Sequence, residues 1–160
     1  MKEAFGGIIN IVFVVVFLVV VMGVLGLVVS YTKAFRMKDA IISVIEEYEG
    51  SGCYPEFSSG SMSSQCREEI ENKAKEIGYR PVSLNCPTDS YGGDSEYGFS
   101  EFYAIDGLYC YSMYKKSDGQ AVFRVITQVD MNFPIIEKIM GFRFFQVAGD
   151  TKTIQLQYGD

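Results

Sequence analysis

No histidine occurs anywhere in this chain. That absence excludes Ser-His and Cys-His nucleophilic catalysis and any site in which imidazole holds a metal. The four cysteines contain no C-x-x-C pair, which argues against a zinc site. Gly-rich phosphate loops, G-x-S-x-G elbows and S-x-x-K motifs are also missing. The adjacent carboxylates Glu46/Glu47 and Glu68/Glu69 are neighbours on solvated helix faces, not convergent acid–base pairs. The expectation is a protein without catalytic residues, cofactor or metal. An acidic net charge of −6 argues against nucleic acid as a partner.

Charge is missing over one long stretch. Between Ala4 and Thr32 no side chain is ionisable in the acid–base sense that matters for membranes: there is no Asp, Glu, Lys or Arg. As a helix this stretch reaches roughly 40 Å, more than the ~30 Å hydrocarbon layer requires. Its core, IINIVFVVVFLVVVMGVLGLVV, exceeds the ~7–15 residues of a signal-peptide apolar region, and no small-x-small cleavage site or lipobox cysteine follows it. The expectation is a retained transmembrane helix, with the membrane as a partner. Asn10 is its one strongly polar side chain, either hydrated near the interface or hydrogen-bonded to another helix.

The helical pattern does not stop where the charges begin. No Gly or Pro intervenes between Gly26 and Gly50. Ala34, Met37, Ile41, Val44 or Ile45, and Tyr48 recur at three- and four-residue steps, forming one apolar stripe, with Lys33, Arg36, Lys38, Asp39 and Glu46 largely off it. A continuous helix from about Phe5 to Glu49 is expected, stopping at Gly50. The head is expected to cover the stripe near Ile45 and Tyr48, and partner chains the part near Met37 and Ile41. The acidic end at Glu46, Glu47 and Glu49 opposes the helix dipole, and capping does not explain it. The domain division is 1–49 for the stem and 50–160 for the head.

About 110 residues remain for the head, enough for one small core. GSGCYPEFSSGSMSS reads as a loop. In QCREEIENKAKEIGY, Cys66, Ile70, Ala74 and Ile77 mark one face of a helix that ends at Gly78. A short strand is expected around Val82–Leu84. YAIDGLYCYSMYKK and QAVFRVITQVDM form a hairpin across a type I′ turn at Asp118-Gly119, with Phe123, Val125, Thr127 and Val129 on one strand face. NFPIIEKIMG reads as a short helix started by Pro134. FRFFQV and TKTIQLQ read as two strands joined across Ala148-Gly149-Asp150. The class is α+β: a long N-terminal helix carrying a small disulfide-bonded head with an antiparallel sheet.

Cys53, Cys66, Cys86 and Cys110 all follow the apolar run, and disulfides in an oxidising compartment suit them. Three pairings are open. Cys53–Cys66 with Cys86–Cys110 is favoured because neighbours in sequence close short loops. This puts the head outside the cytoplasm. The positive-inside bias points the other way, since Lys2 precedes the span whereas Lys33, Arg36 and Lys38 follow it. In DSYGGDSEYGFSE, the acids Asp89, Asp94, Glu96 and Glu101 offer hard oxygen ligands for calcium, but the spacing is not that of an EF-hand. A solvated loop or a tyrosine-rich contact surface fits the same text.

A long N-terminal helix, half apolar and half amphipathic, carrying a small disulfide-bearing α/β head, resembles the type IV pilin superfamily. FRVITQVDMNFPIIEKIMGFRFFQVAGDTKTI looks most like the heads of Tad-locus pseudopilins (TadE/TadG-like). The resemblance implies a structural subunit of a surface filament or secretion apparatus, self-associating or joining other pilin-like subunits through its N-terminal helix. It also implies cleavage after a glycine, for which Gly7, or Gly6, is the candidate. The family's Glu at the fifth mature position has no counterpart, because Ile11 or Val12 stands there. Asn10, Met37, Ile41 and Ile45 are the helix-packing candidates. The competing reading is a single-pass, membrane-anchored binding or sensing module outside the cytoplasm.

Overall fold

The structure is a computed structural model, and it describes residues 2–48, 64–87, 99, 102–130 and 144–155. Helix α1 (Lys2–Glu47) runs unbroken for 46 residues. No proline interrupts its amide ladder, and its sequence is rich in apolar side chains that suit either lipid or protein. Glu49, where the helix was expected to end, lies outside the described residues, as does Gly50.

Helix α2 (Ser64–Ile77) buries Cys66, Ile70 and Ala74, the face its spacing marks. It ends in a Schellman turn. Gly78 adopts φ +66°, its N–H donates to Lys75 O (3.2 Å), and the Tyr79 N–H donates to Ala74 O (3.0 Å).

The sheet contains β1 (Tyr103–Ile105), β2 (Tyr109–Lys115), β3 (Gln120–Asp130), β4 (Phe144–Asp150) and β5 (Ile154–Gln155), in the order β1-β2-β3-β4, with β5 also paired to β3. All pairs are antiparallel. The expected β2–β3 hairpin is present, but its turn differs. Of the residues Ser117 to Gly119 only Gly119 has positive φ (+79°), and Lys116 N–H donates to Gln120 O (2.7 Å). A three-residue loop ending in a left-handed glycine fits this geometry, whereas type I′ needs positive φ at both central residues. The type I′ geometry occurs at the other Asp-Gly pair. Asp106 (φ 51°) and Gly107 (φ 66°) are both left-handed, and Leu108 N–H donates to Ile105 O (2.8 Å). That turn splits the expected single strand YAIDGLYCYSMYKK into β1 and β2.

Two further expectations are corrected. Ala148, Gly149 and Asp150 form no turn; they extend β4 in register with Ile126, Val125 and Arg124. The break comes at Thr151–Thr153. There the Thr151 N–H donates to Phe123 O (2.9 Å) and its Oγ1 accepts from Phe123 N–H (3.0 Å), before β5 resumes pairing at Ala121↔Ile154. The two short strands are one edge interrupted by a bulge. Val82–Leu84 is not a strand. The Gln128 side chain instead binds that segment, donating to Ser83 O and accepting from Asn85 N–H (3.1 Å). The segment 132–141, expected as a helix, lies outside the described residues.

The core sits between α1, α2 and one face of the sheet. Ala34, Met37, Ile41, Val44 and Ile45 of α1 meet Tyr109, Tyr111, Ala121, Phe123, Val125 and Val129 of the strands, with Cys66, Ile70 and Ala74 of α2. Val122, Ile126 and Phe99 are buried too, so the second face of β3 is also covered. Polar groups within this packing are matched. Thr127 Oγ1 lies 3.0 Å from Ala34 O, and among the described residues no buried side-chain polar atom lacks a partner.

Candidate functional site

The feature with functional content is α1, because its two halves meet different surroundings. From Gly7 to Leu25 nearly every side chain is exposed: Ile8 60 %, Phe13 70 %, Phe17 67 %, Met22 69 %. No water-soluble helix leaves such a surface bare, since exposed apolar area costs about 25 cal/mol per Å². This helix is long and apolar enough to cross a membrane. From Ala34 onward the same helix is the centre of the head's core.

The four packing candidates divide between these halves. Asn10 is exposed on the apolar half, and among the described residues its amide has no partner. Gly7 is exposed beside it, with open space where a Cβ would stand. Met37 and Ile41 are 0 % exposed and Ile45 is 2 % exposed, all within the chain's own core. The expectation that partner chains cover Met37 and Ile41 is therefore overturned: β3 meets the stem at Ala34 and β4 reaches Tyr31, both on the N-terminal side of Met37. The division at residues 49 and 50 lies outside the described residues; within them, α1 from Ala34 to Ile45 packs in the same core as α2 and the sheet.

Several contacts fix the stem in the head. Gly149 lets β4 lie close on α1; a Cβ there would meet Lys38 Cδ at 2.8 Å and Ile42 Cδ1 at 2.9 Å. Lys38 sits on the buried stripe, not off it as expected. It is 8 % exposed, its ammonium lies 3.9 Å from the Phe35 ring centroid, and it pairs with Asp39 at 3.0 Å. Glu46, whose charge the helix dipole disfavours, accepts the Lys152 N–H at 2.8 Å and pairs with Lys152 Nζ at 3.2 Å. It thereby holds the bulge between β4 and β5. Tyr48 Oη donates to Glu69 Oε2 (2.6 Å), joining α1 to α2, and this bond, followed by desolvation, raises the phenol's pKa. Arg67 pairs with Asp106 and ties α2 to the β1–β2 turn.

The Cys86–Cys110 disulfide forms as expected and anchors the chain after α2 to β2, with Cα atoms 5.6 Å apart. Cys66 is disulfide-bonded, and its partner lies outside the described residues. Cys53, its expected partner, is among those. Asp89, Asp94, Glu96 and Glu101 also lie outside the described residues. Among the described ones no cluster of His, Cys, Asp and Glu has metal-site geometry.

On the second face of the sheet, Arg124 forms a two-pronged bond to Asp150 (2.6 and 2.7 Å) and stacks over the Phe99 ring. Periodicity missed this pair, although β3's alternation places Arg124 opposite the helix face. Tyr109 and Tyr111 lie in the core. Burial, then the Asp106 charge, pushes the Tyr109 phenol well above its ordinary pKa. Burial, then Tyr103, pushes Tyr111 up to about 12.

No protein-family model, curated protein or solved structure matches the chain. What the structure shows is an architecture: one helix, its first half bare and apolar, its second half the spine of a small α+β head.

Proposed function

We propose that this chain is a membrane-anchored, pilin-like structural subunit, working outside the cytoplasm in a surface filament or secretion apparatus. The observation that carries the reading is the division of α1. An uninterrupted helix transmits the position of its apolar half rigidly to the head, which suits a subunit stored in a bilayer and then packed against copies of itself. The covering of Met37 and Ile41 by the head leaves the apolar half, Gly7 to Leu25, as the part of the stem open to other subunits. There Asn10 supplies an amide whose interhelical hydrogen bond is worth about 0.6–2 kcal/mol. Packing of the apolar side chains has to supply the rest.

Two features support an extracytoplasmic head. All three described cysteines are in disulfides. Of the three cations that favour the opposite orientation, Lys38 is buried and ion-paired in the head. Shearing intact cells and probing the sheared material for the chain tests the reading. The expected result is chain in the sheared, sedimentable fraction, as an ordered polymer. Chain confined to the membrane as a monomer would favour the anchored binding module instead.

A further inference from the structure

Where the stem enters the head, a cleft of about 300 Å³ opens between α1 at Gly26, Ser30 and Lys33 and the Gly78–Val82 segment that follows α2. Its lining contains two cations, Lys33 and Arg80, and no carboxylate, although the chain as a whole carries a net charge of −6. Lys33 and Arg80 are both exposed, and among the described residues neither forms an ion pair. Val82, on the same rim, is 74 % exposed, the largest exposure of any large apolar side chain described.

The level of this cleft along the helix follows from lengths. Twenty residues at about 1.5 Å each fill a hydrocarbon layer of about 30 Å, so a crossing counted from Ile8, where the apolar core begins, is complete at Leu27. Val28 to Lys33 then spans roughly 8 Å, reaching through a headgroup layer about 5–7 Å deep on each side, with Gly26 at its inner edge and Ser30 and Lys33 within it. A second set of residues marks the same level. Tyr31 lies between Phe35 (ring centroids 6.2 Å) and Phe145 (5.8 Å), an aromatic group of the kind found at membrane–water boundaries.

We propose that this cleft holds the phosphate headgroup of an anionic phospholipid, with Lys33 and Arg80 as its cationic walls, Ser30 as a neutral donor, and Val82 seated toward the acyl-chain boundary. The head then rests on the membrane in one orientation. This rests on α1 crossing the membrane, but not on filament assembly.

The test uses the full chain in phosphatidylcholine bilayers. The association of spin-labelled phosphatidylglycerol is compared with that of spin-labelled phosphatidylcholine. The expected preference is about fivefold per cation, and Lys33→Gln with Arg80→Gln abolishes it. Equal association of the two lipids, or a preference unchanged by both substitutions, overturns the proposal. So does loss of the preference on adding inorganic phosphate but not chloride of equal ionic strength, which would assign the cleft to the free anion. The chain has no tryptophan, so Val82→Trp and Phe17→Trp supply clean second readouts. Lipids brominated near the headgroup should quench Val82→Trp. Quenching of Phe17→Trp by chain-brominated lipid, with Val82→Trp untouched by either, overturns the cleft while leaving the crossing intact.

Discussion

Met37→Ala distinguishes a stem covered by its own head from a stem covered by other subunits. Met37 is 0 % exposed, in one cluster with Ile41, Phe123 and Val125. Truncating a fully buried Met to Ala costs about 2–5 kcal/mol, the transfer of the lost atoms plus the cavity left behind. The total stability of a head this size is about 5–15 kcal/mol, so the loss is a large share. With roughly 4–8 °C per kcal/mol for a domain near 100 residues, the melting temperature should fall by at least roughly 10 °C. The assay is protease resistance of the full chain in detergent micelles at rising temperature, with disulfides intact. Ile45→Ala, on the same stripe at 2 % exposure, should fall by a similar amount. Val14→Ala, 54 % exposed on the apolar half, should leave the head unchanged. A Met37→Ala head as stable as the parent, beside a weakened Ile45→Ala head, would refute the reasoning. It would mean that the lower stripe is covered only in the assembly.

Gly149→Val should destabilise the head by about 1–3 kcal/mol, because the new side chain must displace Lys38 and Ile42 from the stem; thermal melting checks it. Replacing Cys86 and Cys110 together by Ser removes a bridge across 24 residues and should cost about 3 kcal/mol by denaturant titration. Tyr109 and Tyr111 hold their protons more tightly folded than unfolded, so stability should be level below about pH 10 and decline above it, through about pH 12 for Tyr111. Tyr109→Phe should shallow that alkaline decline, whatever its effect at neutral pH, as read by denaturant midpoints across the pH range.

The long helix was legible because two independent signals agree: a run without charge, then a stripe at helical period, with no breaker between. The β3 face was legible from its period of two. The turns were harder. Asp106-Gly107 and Asp118-Gly119 are the same dipeptide, and which becomes type I′ depends on where the strands on either side come into register. Val82–Leu84 carries strand-forming residues, but Gln128 supplies its partners from a side chain, which no local pattern reveals. Gly149 looked like a turn residue because it lacks a side chain. Its neighbours show the other use of that lack, close approach to a helix far away in sequence. The occupant of the stripe was the least legible feature. Periodicity states that Met37 and Ile41 must leave water, but not whether the same chain or another one covers them.

Under the proposed function, the apolar half of α1 packs against copies of itself. A photo-cross-linking residue in place of Phe13, 70 % exposed, tests it most directly in the membranes where the chain is made. The account predicts a ladder of covalent dimers and higher multimers of this chain, reduced when unlabelled chain is co-expressed. Cross-links to lipid alone, with the chain remaining monomeric at every expression level, would contradict it.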